Sequence, residues 1–276
     1  MPLHTPIRYN TMILTEKQGA LEYLTAEGLS VPHCFTTRYG GVSTGTQASL
    51  NLAYGRGDTM ENVEANIGIL AKALGFDTSK LVLTRQTHSD IVRPVTAADA
   101  GGLCHQSYPE CDALVTCDPG VALMVYTADC TPLLLHDPVT GAVGAVHAGW
   151  RGTALDIAGK AVEAMVRLYG CKSENIHAAI GPNIGQCHFE TNADVPHALL
   201  MTFGKDVEGF IQHRGDKFFP DLKAINAYAL KRRGLRHIDI STDCTYCQCQ
   251  RFWSHRASHG QRGSQGALIV CKEENP

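Results

Sequence analysis

The stretch from Tyr126 to Gly152, YTADCTPLLLHDPVTGAVGAVHAGWRG, constrains the fold more than any other part of the chain. Its apolar run Pro132 to Leu135 reads as a strand, HDPVTG (136–141) as a turn, and Ala142 to His147 as the returning strand, because Asp-Pro and Gly punctuate two apolar segments. If the turn pairs residues near 136 and 142, Cys130 falls beside His147 or one residue diagonal to it, within the roughly 5 Å that separates cross-strand Cβ atoms. A Cys and a His then share one end of a hairpin, where Gly149, Arg151 and Gly152 open a helix. Such strand-to-helix junctions commonly border a pocket.

The other residues make a globular setting for this hairpin. With 44% hydrophobic and 18% charged residues over 276 positions, disorder is not expected, and nothing resembles a linker. A net charge of -3 and the absence of a long Lys/Arg block argue against a nucleic-acid polymer as partner; Lys231 to Arg233 is read instead as the basic end of a helix. No apolar run is long enough for a membrane span, and MPLHTPIRYN lacks the pattern of a signal peptide, so a cytoplasmic protein is expected. Eleven Cys, an odd number in a large chain, point to free thiols or metal ligands rather than disulfides.

Along the chain, residues 13–28 read as a strand or turn followed by a short helix, and Val31 to Thr37 as a strand. Arg38 to Gly45 is a glycine-rich loop that begins with a cation. Asp58 to Leu74 carries Val63, Ile67, Leu70 and Leu74 at helical spacing. Strands are expected at 81–83, 111–115, 121–126, 176–180, 238–240 and 267–271. Helices are expected from about Thr153 to Tyr169, ended by Gly170, over 196–202 and within 218–233; Ala97 to Pro109 is a polar connection. Several consecutive strands have no helix between them, which argues for mixed sheets in an α+β arrangement. No GxGxxG or Gly-Lys-Ser/Thr phosphate loop is present, so a nicotinamide enzyme or an ATPase has little support.

Three residues at strand ends, His88, Cys130 and His147, could carry chemistry. One Cys and two His with an open fourth position make a catalytic zinc set, and the same atoms without metal could serve as a thiol nucleophile with a His base. Zinc uses both imidazoles, whereas a Cys-His pair has no need of the second. Asp112 and Asp129 are each candidates to hold a ligand His in its tautomer, or simply turn caps. Among the cations Arg38, Arg56, Arg85, Arg151 and Arg256, which suit bidentate phosphate binding, Arg38 and Arg151 stand out because each lies in a glycine loop. Cys244-x-x-Cys247-x-Cys249 lacks an evident fourth metal ligand beyond His255 and His259, and Cys187-His188 would face opposite sides if it lay in a strand.

The segments FTTRYGGVS (35–43), SLNL (49–52), QTH (86–88), CDALVT (111–116), ADCTP (128–132), HAGWRGT (147–153), GPNIGQCHFE (181–190) and FWSHR (252–256) together resemble the laccase-domain, YfiH-like family. The resemblance implies one domain over residues 1–276, with mixed β-sheets sandwiched between helices in α/β/β/α-like layers. It further implies a zinc-dependent purine nucleoside phosphorylase, acting on adenosine, inosine, guanosine and methylthioadenosine, with adenosine deaminase activity. His88, Cys130 and His147 would be metal ligands and catalytic residues, and Zn2+ the cofactor, with Cu2+ the alternative. Arg38 with Asn51 is the expected pair for the base and ribose, and Arg56 and Arg151 are further substrate-binding candidates. The partners would be purine nucleosides and inorganic phosphate, and the protein a monomer. A metal-free cysteine hydrolase or amidase using Cys130 and His147, and a copper-dependent phenol oxidase, remain the rival readings; the latter needs copper clusters, for which the sequence offers no second group of His ligands.

Overall fold

Residues 13–55, 57–101 and 109–272 are described by the structure, a computed structural model. The chain opens with β1 (Ile13–Gln18), β2 (Leu21–Ala26), β3 (His33–Thr36), α1 (Met60–Leu74), β4 (Leu81–Leu83) and β5 (Val92–Pro94). It continues through β6 (Ala113–Thr116), β7 (Ala122–Thr127), β8 (Thr131–His136), β9 (Val143–Ala148), α2 (Trp150–Ala154), α3 (Ile157–Tyr169) and β10 (His177–Ile180). The remainder holds α4 (Asp194–Phe203), β11 (Ile211–Arg214), β12 (Lys217–Pro220), α5 (Leu222–Arg232), β13 (His237–Ile240) and β14 (Gln265–Val270).

Two six-stranded sheets dominate, in the orders β1-β2-β3-β14-β7-β4 and β13-β10-β8-β9-β6-β5. Both are mixed: β4 with β7, β5 with β6 and β10 with β13 run parallel, and the other pairs in these sheets are antiparallel. Alternation along each strand sets the layers. Leu114, Leu134, Ala145 and Ala179 of the second sheet share a core with Phe35, Met124 and Leu268 of the first. Their neighbours Leu133, Leu135, Val146 and Ala178 point the other way, onto Ile157, Val162 and Met165 of α3 and Leu230 of α5. On the far side, α1 buries Val63, Ile67 and Leu70 among Val82 and Leu123. The result is the α+β arrangement of helix, sheet, sheet and helix. Three successive leucines at 133–135 are tolerated because β8 is covered on both faces, each contributing about 1.5–3 kcal/mol of burial.

Four local expectations are corrected. Leu21–Ala26 is a strand rather than a helix, because a turn at Gly19, with φ of 62°, folds it back onto β1 and supplies a ladder partner that outweighs the helical preference of Leu and Glu. The helix expected from Thr153 is two helices: Asp156 adopts φ of 59° between them, and its side chain accepts a hydrogen bond from Gly159 N to start α3. Leu168, which the apolar spacing of Ile157, Val162, Met165 and Leu168 predicts to lie on the buried face, is exposed. The central hairpin also runs in a slightly different register, with His136 opposite Val143 and Pro132 opposite His147. The connection expected at 97–109 lies partly outside the described residues. No helix among the described residues is long and apolar enough to cross a membrane.

His136, at the far end of β8, is buried, and its Nδ1 has no hydrogen-bond partner. Burial, and next the neighbouring His177, push its pKa down from 6.5 to about 4. Between those values the unfolded chain takes up a proton that the native state refuses, so stability is lost as pH falls from 6.5 to 4. Denaturant titrations at pH 7 and pH 4.5 should show His136→Leu escaping up to about 3 kcal/mol of the acid destabilisation suffered by the wild type.

Candidate active site

His147 has the same strand parity as Val143 and Ala145, so it faces the opposite sheet, at the end where β9 runs into α2. Cys130 lies two residues before its partner Pro132, and is therefore the same-face diagonal neighbour. Asp129, with φ of 88°, makes the turn that leads into it. His88 arrives from the other sheet, five residues beyond β4. Gln86 anchors that segment: its amide donates to Tyr126 O at 2.8 Å and its carbonyl accepts from Tyr126 N at 2.7 Å, as a further pair on the edge of β7.

Asp112 joins these pieces. Its carboxylate accepts from the successive backbone N–H groups of Thr87, His88 and Ser89 at 3.1, 3.0 and 2.8 Å, and from Ser89 Oγ at 2.7 Å. The same group lies 2.7 Å from His147 Nδ1, and His147 N donates to Asp112 O at 2.7 Å. His88 is thereby held at φ of 60°, a conformation uncommon for a residue other than glycine. With a proton on Nδ1 shared with Asp112, His147 presents Nε2 to the site.

The ligand atoms of His88, Cys130 and His147 all lie within 4.8 Å of one another. Cys130 Sγ is 3.8 Å from His88 Nε2, and the two imidazoles meet edge to face at 5.0 Å. His147 is buried, Cys130 half-buried and His88 exposed, so the group opens on the His88 side. Gly149 closes another side: a Cβ there would sit 2.7 Å from His88 Cδ2 and 3.3 Å from Cys130 Sγ. Burial pushes the Cys130 thiol up, but the charge of His147 and hydrogen bonds to both His outweigh it and bring it down to about 6. Burial disfavours the charge on His147, yet Cys130 and Asp112 raise it to about 9. Asp112 falls to about 2 despite burial, through its bonds to His147 and Ser89. A thiolate beside a cationic imidazole can act as a nucleophile, and once His147 Nε2 gives up its proton the same atoms can hold a metal.

The other expected residues are distributed differently. Asn51 is fully buried: Nδ2 donates to Ala53 O and Asp58 Oδ2, while Oδ1 accepts from Ala53 N and Ser264 N. That uses all its bonding capacity, which makes it a brace between loops and leaves no atom for a base or ribose. Arg38 donates to Cys249 O and Ala48 O, each at 3.0 Å, and stacks 3.9 Å over Trp253. Arg151 is exposed and lies 4.3 Å over Trp150; Arg85 pairs with Glu110. Arg56 lies outside the described residues. Of the two candidate orienting carboxylates only Asp112 reaches a His of the trio, whereas Asp129 binds Thr245 Oγ1 and Arg256 N. Ser89, Gln86 and Gly149 were missed as supporting residues. Their place in or beside QTH and HAGWRG held the signal, but it becomes readable only once the partners are known: Tyr126 for Gln86, Asp112 for Ser89, and His88 with Cys130 for Gly149.

Asp112→Asn keeps the volume and removes the charge that favours protonated His147. In metal-stripped protein, the pH dependence of Cys130 alkylation should move from an apparent pKa of about 6 toward the ordinary thiol range, near 8.5. Gly149→Ala forces the His88 ring aside, and should lower stability by about 1–3 kcal/mol in thermal or denaturant unfolding.

Residues 32–272 match the family model described as "Multi-copper polyphenol oxidoreductase laccase". A protein of Deinococcus radiodurans named purine nucleoside phosphorylase is 41% identical over 249 residues, covering 90% of this chain and 92% of its own. The crystal structure of Bacillus licheniformis hypothetical protein YfiH superposes with a TM-score of 0.87 at 30% identity, over 94% of this chain and 99% of that one. YlmD from Geobacillus stearothermophilus gives 0.86 at 30% identity, over 95% and 100%. The two-sheet fold, the ordered motifs and these likenesses agree: the chain belongs to the laccase-like YfiH family, described as multi-copper polyphenol oxidoreductase laccases, whose members include proteins named purine nucleoside phosphorylases.

Proposed function

We propose that the chain is a purine nucleoside phosphorylase that also deaminates adenosine, and that His88, Cys130 and His147 hold Zn2+ at its active site. The convergence of three donors with one open side carries this reading. The names of relatives that match nearly the whole chain support the substrate class. One Cys and two His suit a catalytic zinc ion, and the cradle at Gly149 leaves no room for a side chain between donors. Zn2+ held there would act as a Lewis acid and lower the pKa of water from near 16 toward about 7. All three donors come from one chain, so one domain acting as a monomer suffices.

The surrounding residues have definable tasks. Asp112 holds the proton on His147 Nδ1 and fixes the segment that carries His88. Arg151, with its guanidinium exposed one residue beyond the Trp that follows Gly149, is the candidate for phosphate, with Arg38 and Arg56 as further cations. In phosphorolysis, a phosphate oxygen bonds to ribose C1′ as the bond to purine N9 breaks, and the departing base takes the electron pair and then a proton. Deamination replaces the 6-amino group of adenosine by oxygen from water and releases ammonia. Preferred nucleosides among adenosine, inosine, guanosine and methylthioadenosine would follow from contacts to the base edge. The family's copper label is less well supported, because the trio offers only two imidazoles and the other Cys/His group among the described residues only one.

A second reading is favoured by the orientation of Asp112, His147 and Cys130, which is that of orienter, base and thiol in a cysteine hydrolase. One assay separates the possibilities. Metal-analysed protein is incubated with adenosine, with and without phosphate, and adenine, ribose 1-phosphate and inosine are separated. The phosphorylase reading expects phosphate-dependent adenine, loss of both products on chelation, restoration by Zn2+, and a fall of more than about 100-fold in Cys130→Ala, beyond the loss typical of an outer-shell partner. Unchanged turnover in that variant would refute the zinc assignment. Activity that survives chelation but not alkylation of Cys130 would favour the hydrolase, and oxygen uptake with phenols the oxidase.

A further inference from the structure

A second group of donors lies outside the site just described. Cys187 and His188 sit together in a turn of the loop that follows β10, and Cys244 and Cys247 in a turn that follows β13. Because Cys187 and His188 are not in a strand, they need not face opposite sides, and both join the same cluster. Cys187 Sγ lies 3.6 Å from Cys244 Sγ and 3.6 Å from Cys247 Sγ, while His188 Nδ1 lies 3.2 Å from Cys187 Sγ and 3.3 Å from Cys247 Sγ. All four ligand atoms fall within 4.8 Å of one another.

These separations discriminate between the two chemistries open to such a group. A disulfide needs sulfurs about 2.05 Å apart, far closer than any pair measured here. A tetrahedral zinc ion with bonds of about 2.3 Å to sulfur and about 2.0–2.1 Å to nitrogen sets its donors about 3.8 Å apart for two sulfurs, and about 3.6 Å apart for sulfur and nitrogen. The four edges just given lie within a few tenths of an ångström of those values. Two ligand pairs on separate turns, one of them Cys-x-x-Cys, are also the usual construction of a closed structural zinc centre.

The backbone favours charge on one of the sulfurs. Gly185 N donates to Cys244 Sγ at 3.1 Å, and Gly185 comes so close that a Cβ there would lie 3.2 Å from Cys187 Sγ and 3.4 Å from Cys244 Sγ. The His188 ring is stacked on Tyr246 at 4.1 Å, which orients the plane from which Nδ1 points inward. We propose that Cys187, His188, Cys244 and Cys247 form a closed, four-donor structural site for a thiophilic divalent cation, zinc being the best fit to three thiolates and one imidazole.

Such a centre would brace the wall behind Cys130. Ile184 N donates to Asp129 O, Thr245 Oγ1 to Asp129 Oδ1 and Arg256 N to Asp129 Oδ2, while the Arg256 guanidinium donates to His188 O and Glu190 O. Both metal-bearing turns therefore close around the residue that immediately precedes Cys130.

The site is tested by counting metal in whole protein and in variants that separate the two centres. Cys187→Ser and Cys247→Ser, both at exposed positions, should each lose one equivalent of tightly bound Zn2+ relative to wild type. A His88→Ala/Cys130→Ala double variant should retain that equivalent, whether or not the first site takes metal. Substituted Co2+ in the double variant should show the sulfur-to-cobalt charge transfer and strong visible bands of tetrahedral thiolate coordination. In wild type and the double variant alike, Zn2+ but not Mg2+ should protect Cys187 and Cys247 from iodoacetamide, a readout independent of whether the Ser variants fold. Two results overturn the proposal: a folded double variant that binds no Zn2+, or protein trapped with alkylating agent at lysis that carries a disulfide among these three cysteines in place of metal.

Discussion

The carboxylate of Asp112 is the interaction on which the site depends. It is a buried charge, which would be costly alone, but five hydrogen bonds surround it: three backbone N–H groups, one hydroxyl and one imidazole. Two of the three central side chains come from different sheets, and this one carboxylate fixes both. It bends the segment at His88 into a left-handed turn and turns His147 so that its second nitrogen points inward. Removing the charge would therefore disturb geometry and protonation together, and the two effects should not be separable by simple addition.

Supporting residues continue the same logic outward. Gln86 extends the edge of β7, Gly149 lets the backbone reach the imidazole, and Thr245 and Arg256 hold the turn at Asp129. Arg38, Asn51 and Trp253 form a neighbouring brace, in which Trp253 Nε1 donates to Leu50 O and Arg38 covers the indole ring. Asn51, which looks like a ligand contact because it is polar and lies between loops, is here engaged in keeping those loops in place.

Much of this was legible in the chain itself. The HDPVTG turn between two apolar runs was enough to place Cys130 near His147, and consecutive strands without helices implied mixed sheets. The exact register was not legible, because the HDPVTG turn admits neighbouring pairings and only the ladder chooses among them. Asn51 was misjudged for a related reason: an amide reads the same in sequence whether its four bonding positions meet solvent or, as here, Ala53, Asp58 and Ser264. The strand at Leu21–Ala26 shows long-range pairing overriding local preference. Cys187 and Cys244 are separated by 57 residues, so their approach was beyond any spacing rule.

Asp112 and His147 also continue the ladder between β6 and β9, where Ala113 stands opposite Val146. Their side chains meet because the two strands pair in one alignment. A slip by one residue would turn His147 toward the helices, and a slip by two would leave Leu114 beside it. The sheet thus works as a gauge: a molecule that folds with its strands offset does not acquire a loose or altered centre, but none at all. Chemistry at this site is confined to chains that have closed the correct ladder, and a misfolded fraction would be inert toward whatever the native centre handles.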